Sequence, residues 1–354
     1  MTAQQVTIAL DALGGDYGPP ETVPGAVQAA REGIRVLLVG EPQALEEELR
    51  RHNALGLPLR VVPAEGVVQE GEPPLQALRQ KPRSSIALCA RLVHEGEAHA
   101  FVTMGSTGAA MAAATLELGL LEGVERPALG GPILGCAPQT LLLDLGSHVD
   151  CRPGLLVTFG ALGIAFARRF LGIPHPRVAL LNVGAEEGKG NRQAKEAYAL
   201  LKASGLPFIG NIEGHDLPFG RAEVVVCDGF VGNILMKLVE GLGEVLAGWL
   251  RQRLPHAHPL AEEMASMLNV VDLYGGGPLF GVRGVAVVGH GRSRAPTIAR
   301  ALRTARRCVQ VGLVEGMEEE LARLTATPSR REGGENTPPK TGDPSPSPPP
   351  GDRR

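Results

Sequence analysis

What most constrains the fold of this chain is the way its apolar runs end. Seven short aliphatic or β-branched runs stop in Gly-rich polar turns and lead into helix-like sequence: VTIALDALGGD (6 to 16), RVLLVGEP (35 to 42), AFVTMGSTG (100 to 108), TLLLDLGSHVD (140 to 150), RVALLNVGAEEGKGN (177 to 191), EVVVCDGFVGN (223 to 233) and GVAVVGHG (284 to 291). Strands with one wet face alternate polar and apolar residues. These runs do not alternate, so both of their faces are covered. A mainly parallel, doubly wound sheet between two helical layers, a three-layer α/β/α architecture, supplies that cover.

Helical partners are present. Residues 84 to 96, SSIALCARLVHEG, open on Ser caps and close at a Gly, and 107 to 121 and 192 to 204 carry similar signals. Residues 241 to 275 break the strand-helix rhythm. Leu242, Val245, Leu246, Trp249, Leu250 and Leu254 form one helical stripe, ProHisAlaHisPro (255 to 259) turns the chain, and Leu260, Met264, Met267, Leu268 and Val271 form a second. This predicts a protruding helical hairpin. From Thr325 onward there is no apolar periodicity and there are eight prolines. Such a segment cannot bury enough surface to offset its chain entropy. The expected organisation is one α/β domain over 1–324 and a disordered Pro-rich tail over 325–354.

Composition excludes several classes. A hydrophobic fraction of 44% with only 3% aromatic residues suits aliphatic strands and tight turns better than an aromatic-rich binding module. The net charge of −3 gives no global electrostatic reason to bind nucleic acid. The five cysteines are odd in number and contain no CxxC pair, which argues against a disulfide framework and a structural zinc site and for a reducing compartment. No window approaches the ~18 consecutive apolar residues a membrane span needs, and the N-terminus lacks a basic leader. The expected location is the cytoplasm, with peripheral contact at the inner face of the membrane left open.

In a doubly wound sheet, ligands bind outside the carboxyl ends of the strands. The polar strand-end residues are Asp11 and Asp16; Thr103, Ser106 and Thr107; Asp144, His148 and Asp150; Asn182, Glu186, Glu187, Lys189 and Asn191; Asp228 and Asn233; and His290. Six such turns on one rim predict a single site, although each residue taken alone is also a plausible cap or turn former. GAEEGKGN (184 to 191) is the most specific segment. Its glycines let backbone N–H groups approach an anion and Lys189 adds a point charge, while a solvated turn is the plain alternative. It is not a Walker A loop, since the spacing is one residue short and no Ser or Thr follows the lysine. No GxGxxG with a following acid appears, so a nicotinamide cofactor loses support. Asp228 is a candidate to orient a group or exchange a proton, Asn233 to donate to a carbonyl or phosphate oxygen, and His290 to contact an anion or transfer a proton, with a hydrogen-bonded structural His as the plain alternative. Cys227 as a nucleophile competes with a buried strand cysteine. His256 and His258 flank the hairpin turn with a spacing that is poor for metal. Arg79, Lys81 and Arg83 suit an acidic carrier protein or a phosphate, or form a merely solvated basic turn.

Taken in order, the motifs DALGGDYGP, TMGSTGA, LLLDLGSHVDC, VALLNVGAEEGKGN, GNIEGHD, VVVCDGFVGN and YGGGPLFGVRGVAVVGHG resemble those of the acyl-ACP:phosphate acyltransferases of phospholipid synthesis, the PlsX family, over about residues 6 to 315. The resemblance implies transfer of a fatty acyl group from acyl-ACP to orthophosphate, giving acyl phosphate for a membrane glycerol-3-phosphate acyltransferase, without a cofactor or metal. It also implies a homodimer, acyl carrier protein as partner, a fold similar to phosphotransacetylases and isopropylmalate dehydrogenases, and dimer or membrane contact through the hairpin. Under it, Lys189, Asp228, Asn233 and His290 form the catalytic set. Asp11, Asp16, Gly105, Thr107, Asp144, Asn182, Glu186, Gly188, Asn191 and Gly229 bind substrate or phosphate, and Arg79, Lys81 and Arg83 meet the carrier. The chain departs from the family pattern at Ser106, where an Asn is usual, and at Gly146-Ser147-His148, where GlyAlaAsn is usual. Two alternatives stand beside this reading: a decarboxylating dehydrogenase of the isopropylmalate type, and a non-catalytic carrier- or lipid-surface-binding protein.

Overall fold

The structure, a computed structural model, describes residues 5–253, 258–268 and 274–326. Its strands are β1 (Thr7–Asp11), β2 (Arg35–Gly40), β3 (Leu59–Pro63), β4 (Ala100–Thr103), β5 (Ala128–Pro132), β6 (Leu141–Leu143), β7 (Val178–Leu181), β8 (Phe208–Ile212), β9 (Val224–Val226), β10 (Gly277–Phe280) and β11 (Val285–Val288). Its helices are α1 (Pro19–Arg31), α2 (Pro42–Arg51), α3 (Pro74–Gln80), α4 (Ser85–His94), α5 (Thr107–Ala113), α6 (Pro153–Arg169), α7 (Arg192–Ala203), α8 (Gly229–Arg253), α9 (His258–Leu268), α10 (Ala295–Gln310) and α11 (Leu313–Ala326).

All eleven strands form one sheet in the order β3-β2-β1-β4-β11-β10-β5-β6-β9-β7-β8. The first five in that order run parallel, and so do the last four. Between them β10 and β5 pair antiparallel with both neighbours, which turns the second parallel block against the first. The carboxyl ends of the two blocks therefore lie at opposite edges. The expectation of six turns on a single rim is corrected accordingly, because local sequence carries no record of strand polarity in the sheet.

The strands are apolar on both faces, as their runs required. Ile8 and Leu10 of β1 face a core formed with α1, α6, α10 and α11, while Ala9 faces the helices of the other layer. The core beneath α1, α2, α6, α7, α10 and α11 is continuous under both blocks. On the opposite face it is divided: one cluster lies under α3, α4 and α5, and another under α8 and α9. The three-layer α/β/α expectation holds, and the division on one face leaves room for a cleft.

Helix starts follow local chemistry. Proline occupies the first turn of α1, α6 and α10, where its missing N–H costs nothing. Asn191 caps α7, its Oδ1 accepting from Ala194 N at 2.8 Å, and Asp228 caps α8, accepting from Val231 N at 2.8 Å.

The helical region differs from the expected 241–275 hairpin. Its first helix is α8, which begins at Gly229 directly after β9. Helix α9 packs on it through Leu268 beside Gly243 and the Arg251–Glu262 ion pair at 2.7 Å. The predicted first stripe is mostly outward: Leu242, Val245, Leu246 and Trp249 are exposed and Leu250 is buried. Leu254, the turn at 255–257 and Val271 lie outside the described residues, as does the tail from 327 on. Helix α11 continues to Ala326, past the expected boundary at 324.

Gly232, in the first turn of α8, lies directly against the backbone carbonyl of Asp144, and Cys227 Sγ is 3.2 Å from where a Cβ would stand. Gly232→Ala is expected to push α8 off the end of β6 and destabilise the protein by roughly 1–3 kcal/mol, read as a lowered midpoint in urea unfolding.

Candidate active site

Three loops at the carboxyl ends of neighbouring strands β1, β4 and β11 form one wall of the site. Asp11 fixes two of them. Its fully buried carboxylate accepts from Thr103 Oγ1 at 2.7 Å and from Gly14 N at 3.0 Å, and Thr103 Oγ1 in turn accepts from Gly105 N at 2.9 Å. Burial pushes the Asp11 carboxyl above its ordinary value, against these hydrogen bonds. Asp11 thus anchors the loops from beneath. Gly15 has a φ of +87°, and a Cβ there would approach Met104 Cβ to 2.9 Å, so glycine is needed for the loop to fold back. Asp16 N then bonds Gly291 O at 2.8 Å, which brings Asp16 beside His290.

These loops face α8 across a cleft of about 690 Å³, within the ~300–1,000 Å³ range of small-molecule sites. Gly15, Asp16, Gly105, Ser106, Thr107 and His290 line one side; Asn233, Met236, Lys237 and Glu240 line the other; β5 and β10 form the floor. Asn233, Lys237 and Glu240 recur at i, i+4 and i+7, which puts them on one helical face. Asn233 Nδ2 donates to Leu145 O at 3.2 Å. Glu240, with its side chain 7% exposed, lies 2.9 Å from Lys237 Nζ, 3.3 Å from His290 Nε2 and 3.6 Å from an Arg292 Nη. Arg292 also pairs with Glu244 at 2.7 Å. A buried carboxylate left alone would cost several kcal/mol, and here three basic groups surround it. Burial lowers the His290 pKa below its ordinary 6.5, Lys237 and Arg292 act in the same direction, and Glu240 opposes them.

The other expected residues lie at the second block. Asp144 is fully buried and accepts from the backbone N–H groups of Gly146, Ser147 and His148 at 3.2, 3.1 and 2.7 Å and from His148 Nδ1 at 3.0 Å. It organises that turn. Gly229 N donates to His148 O at 2.8 Å, joining the turn to the start of α8. The GAEEGKGN turn follows β7, and its residues are not among those lining the cleft. Asn182 Nδ2 donates to Lys189 O at 3.2 Å, Asn211 Nδ2 donates to Glu186 O at 2.9 Å, and Asn191 caps α7. Gly188 sits in the same turn with open space around it. Lys189 is half exposed, 3.8 Å from Glu186. Gln193 donates to Cys151 O at 2.5 Å, so this turn adjoins the Asp144 turn.

Of the expected set, the cleft therefore gathers Asp16, Gly105, Thr107, Asn233 and His290. Asp11, Asp144 and Asp228 hold loops and a helix end in place. Asn182, Glu186, Gly188, Lys189 and Asn191 form a neighbouring turn on the other block. Cys227 is buried, and burial with the nearby Asp228 and Asp144 carboxylates raises its thiol well above the ordinary range, which leaves no nucleophile there. In the basic segment, Lys81 pairs with Glu72 at 2.7 Å and Arg83 with Glu65 at 2.6 Å, while Arg79 is exposed on α3. Sequence reasoning missed Lys237 and Glu240. Their signal was the polar spacing of Asn233, Lys237, Glu240 and Glu244 inside GFVGNILMKLVEGLGEVL.

Residues 6–315 match a family described as "Fatty acid synthesis protein". A phosphate acyltransferase of Cyanothece is 42% identical over 342 residues, covering 93% of this chain and 98% of its own. One of Nitratidesulfovibrio vulgaris is 46% identical over 309 residues, covering 84% and 90%. The chain belongs to the phosphate acyltransferase family. This acyltransferase also shares its fold with a phosphotransacetylase from Streptococcus pyogenes, at a TM-score of 0.58 and 15% identity over 88% of this chain and 95% of that one. A 4-hydroxythreonine-4-phosphate dehydrogenase from Klebsiella pneumoniae gives a TM-score of 0.52 and 15% identity over 86% and 98%. Among its described residues the acyltransferase has no helix long and apolar enough to cross a membrane.

The cluster around Glu240 has a measurable signature. Glu240→Gln removes the one influence that raises the His290 pKa, so an NMR titration of the His290 ring is expected to move further below 6.5. Because the folded-state pKa is depressed, His290 binds fewer protons folded than unfolded. Stability is therefore fully present above 6.5 and declines as pH falls from there through the folded pKa; His290→Asn should flatten that decline in pH-dependent urea unfolding.

Proposed function

We propose that this enzyme transfers a fatty acyl group from the thioester of acyl carrier protein to inorganic phosphate. The observation that carries this reading is the cleft itself. Its mouth sets Asn233 and Lys237 of α8 opposite His290 and the amide-rich loops at Gly105 and Gly15, and its floor is apolar. A phosphate oxygen attacks the thioester carbonyl carbon, the C–S bond breaks, and the carrier leaves as a thiolate that takes up a proton. Orthophosphate near neutral pH is already an anionic nucleophile. The protein has to align it, stabilise the oxyanion and assist the leaving thiolate, and a strong general base is not needed.

In this reading Asn233 and Thr107 contact the acyl or phosphate oxygens, and His290 supplies or relays the proton. Asp228 acts through the start of α8, which it caps. Lys189 and the amides of its turn hold phosphate, on the chemistry of a Gly-rich turn with a point charge, and Lys237 is a second cation that the cleft geometry adds. No cofactor is required. The acyl phosphate is suited to glycerol-3-phosphate acylation by a membrane enzyme. Arg79, Lys81 and Arg83 are proposed to meet the acidic carrier, although two of the three already hold carboxylates. A homodimer with peripheral membrane contact is supported by the outward stripe of α8. There Phe230, Ile234, Leu238, Leu242, Val245 and Trp249 are exposed along one line. A decarboxylating dehydrogenase needs a carboxylate cluster for a divalent metal, and the described residues form none.

The two lysines are distinguishable. Phosphate-dependent thiol release from purified acyl-ACP is expected to show a phosphate KM raised roughly 10- to 100-fold in Lys237→Ala, the scale of one lost charge-assisted hydrogen bond. Lys189→Ala is expected to weaken phosphate use as well. Unchanged KM and turnover in Lys189→Ala would remove that turn from the site and leave Lys237 as the phosphate cation.

A further inference from the structure

Glu240 is buried in the wall of the cleft, and its two oxygens are used differently. Oε2 accepts from Lys237 Nζ at 2.9 Å and lies 3.6 Å from an Arg292 Nη. Oε1 is shielded from solvent, has no hydrogen bond among the described residues, and lies 3.3 Å from His290 Nε2. An ionised carboxylate oxygen can only accept, and a buried one without a donor is costly. The ring nitrogen beside it is the group placed to relieve that cost, and a small rotation of ring or carboxylate turns the contact into a hydrogen bond.

The contact selects a form of the ring as well as a place for it. A neutral imidazole carries its proton on one nitrogen only. A carboxylate at Nε2 selects the form protonated there, which leaves the lone pair on Nδ1. Among the described residues Glu240 is the one carboxylate within ion-pair reach of His290. The other charged groups around the ring are Lys237 and Arg292, both held by Oε2, with Arg292 also on Glu244, and Asp16 on the loop after β1, whose N–H donates to Gly291 O.

We propose that Glu240 is a positioning residue for the transfer: it fixes the His290 ring with Nε2 protonated, so that Nδ1 carries a proton from phosphate to the departing sulfur. The proposal rests on the acyl-transfer reading. An unprotonated oxygen of the hydrogen phosphate dianion attacks the thioester carbon. The O–C bond forms, the C–S bond breaks, and the sulfur leaves with the bonding pair. The P–OH proton passes to Nδ1 and from there to the thiolate. Acyl phosphate dianion and free thiol result, so phosphate itself brings the proton that the leaving group needs. While the ring carries both protons, Glu240 offsets the two cations beside it.

The test pairs nitrogen NMR of the His290 ring with the kinetics of thiol release from acyl-ACP and phosphate. Burial keeps the ring pKa below its ordinary 6.5, so at about pH 8 the ring is neutral and its tautomer is readable. The wild type is expected to carry the proton on Nε2. In Glu240→Gln, Lys237 and Arg292 attract the amide oxygen, the amide NH2 is left to donate to Nε2, and the proton is expected on Nδ1. Turnover of that variant is expected to fall roughly 10- to 100-fold, on the scale of lost proton-transfer catalysis, with phosphate KM within about threefold of wild type. His290→Asn is expected to lose at least as much. Adding Glu240→Gln to it is expected to cost less than about twofold more, because the two residues act as a unit. A wild-type proton on Nδ1, or a Glu240→Gln loss as large in the His290→Asn background as alone, overturns the proposal; a purely charge-balancing Glu240 gives that second result. Should Glu240→Gln not fold, Glu240→Asp keeps the charge one methylene further back. It is expected to lose part of the turnover alone and nothing more in the His290→Asn background, and equal losses in both backgrounds again overturn the proposal. If the wild type releases no thiol, the acyl-transfer reading fails instead, and the tautomer still decides whether Glu240 fixes the ring.

Discussion

Two parallel half-sheets of opposite polarity can share one hydrogen-bonded sheet only through an odd number of antiparallel pairings, and β10 and β5 provide three. Much of the architecture follows from it. The carboxyl ends of β1, β4 and β11 face one edge, those of β6, β7 and β9 the other, and α8 leaves the second block to run across toward the first. Because the helices of one layer bridge the junction while those of the other do not, apolar burial is continuous on one face and interrupted on the opposite face. The interruption is the cleft.

Helix α8 connects the two edges chemically as well as spatially. Its first turn is seated by Gly232 against Asp144 and capped by Asp228, so the position of Asn233 is set by the second block. Two turns further on, Glu240 meets His290 and Arg292 from the first block. A desolvated carboxylate surrounded by basic groups is a weak source of net stability but a strong source of geometric specificity, since removing either side leaves a charge without compensation. The cleft's polar groups are therefore held in register by one helix with an anchor at each end.

The seven runs read from the sequence correspond to β1, β2, β4, β6, β7, β9 and β11, the strands buried on both faces. The strands that escaped notice had physical reasons to do so. β3 and β8 are edge strands with partly exposed residues, and β5 and β10, ALGGP and GPLF, are too rich in Gly and Pro to score as strands. The cleft lining was legible where polar residues stand at strand ends, at Asp16, Thr107, Asn233 and His290. Lys237 and Glu240 were not, because inside a long apolar helix their spacing reads as a solvated face until the opposing loop is in view. The separation of the Lys189 turn from the cleft was invisible for a different reason: it depends on the polarity reversal, which is a property of the assembled sheet.

A core that is unbroken on one face and split on the other also gives the molecule a direction in which it yields. Folding the half-sheets toward the α1–α6–α10 side compresses close-packed side chains, whereas folding them toward α8 only narrows solvent-filled space. With the β5–β10 and β10–β11 ladders each just two residue pairs long, the sheet has its least bending resistance along β10. The compliant axis therefore runs through the floor of the cleft, where small rotations change the gap between the Gly105 loop and α8 most.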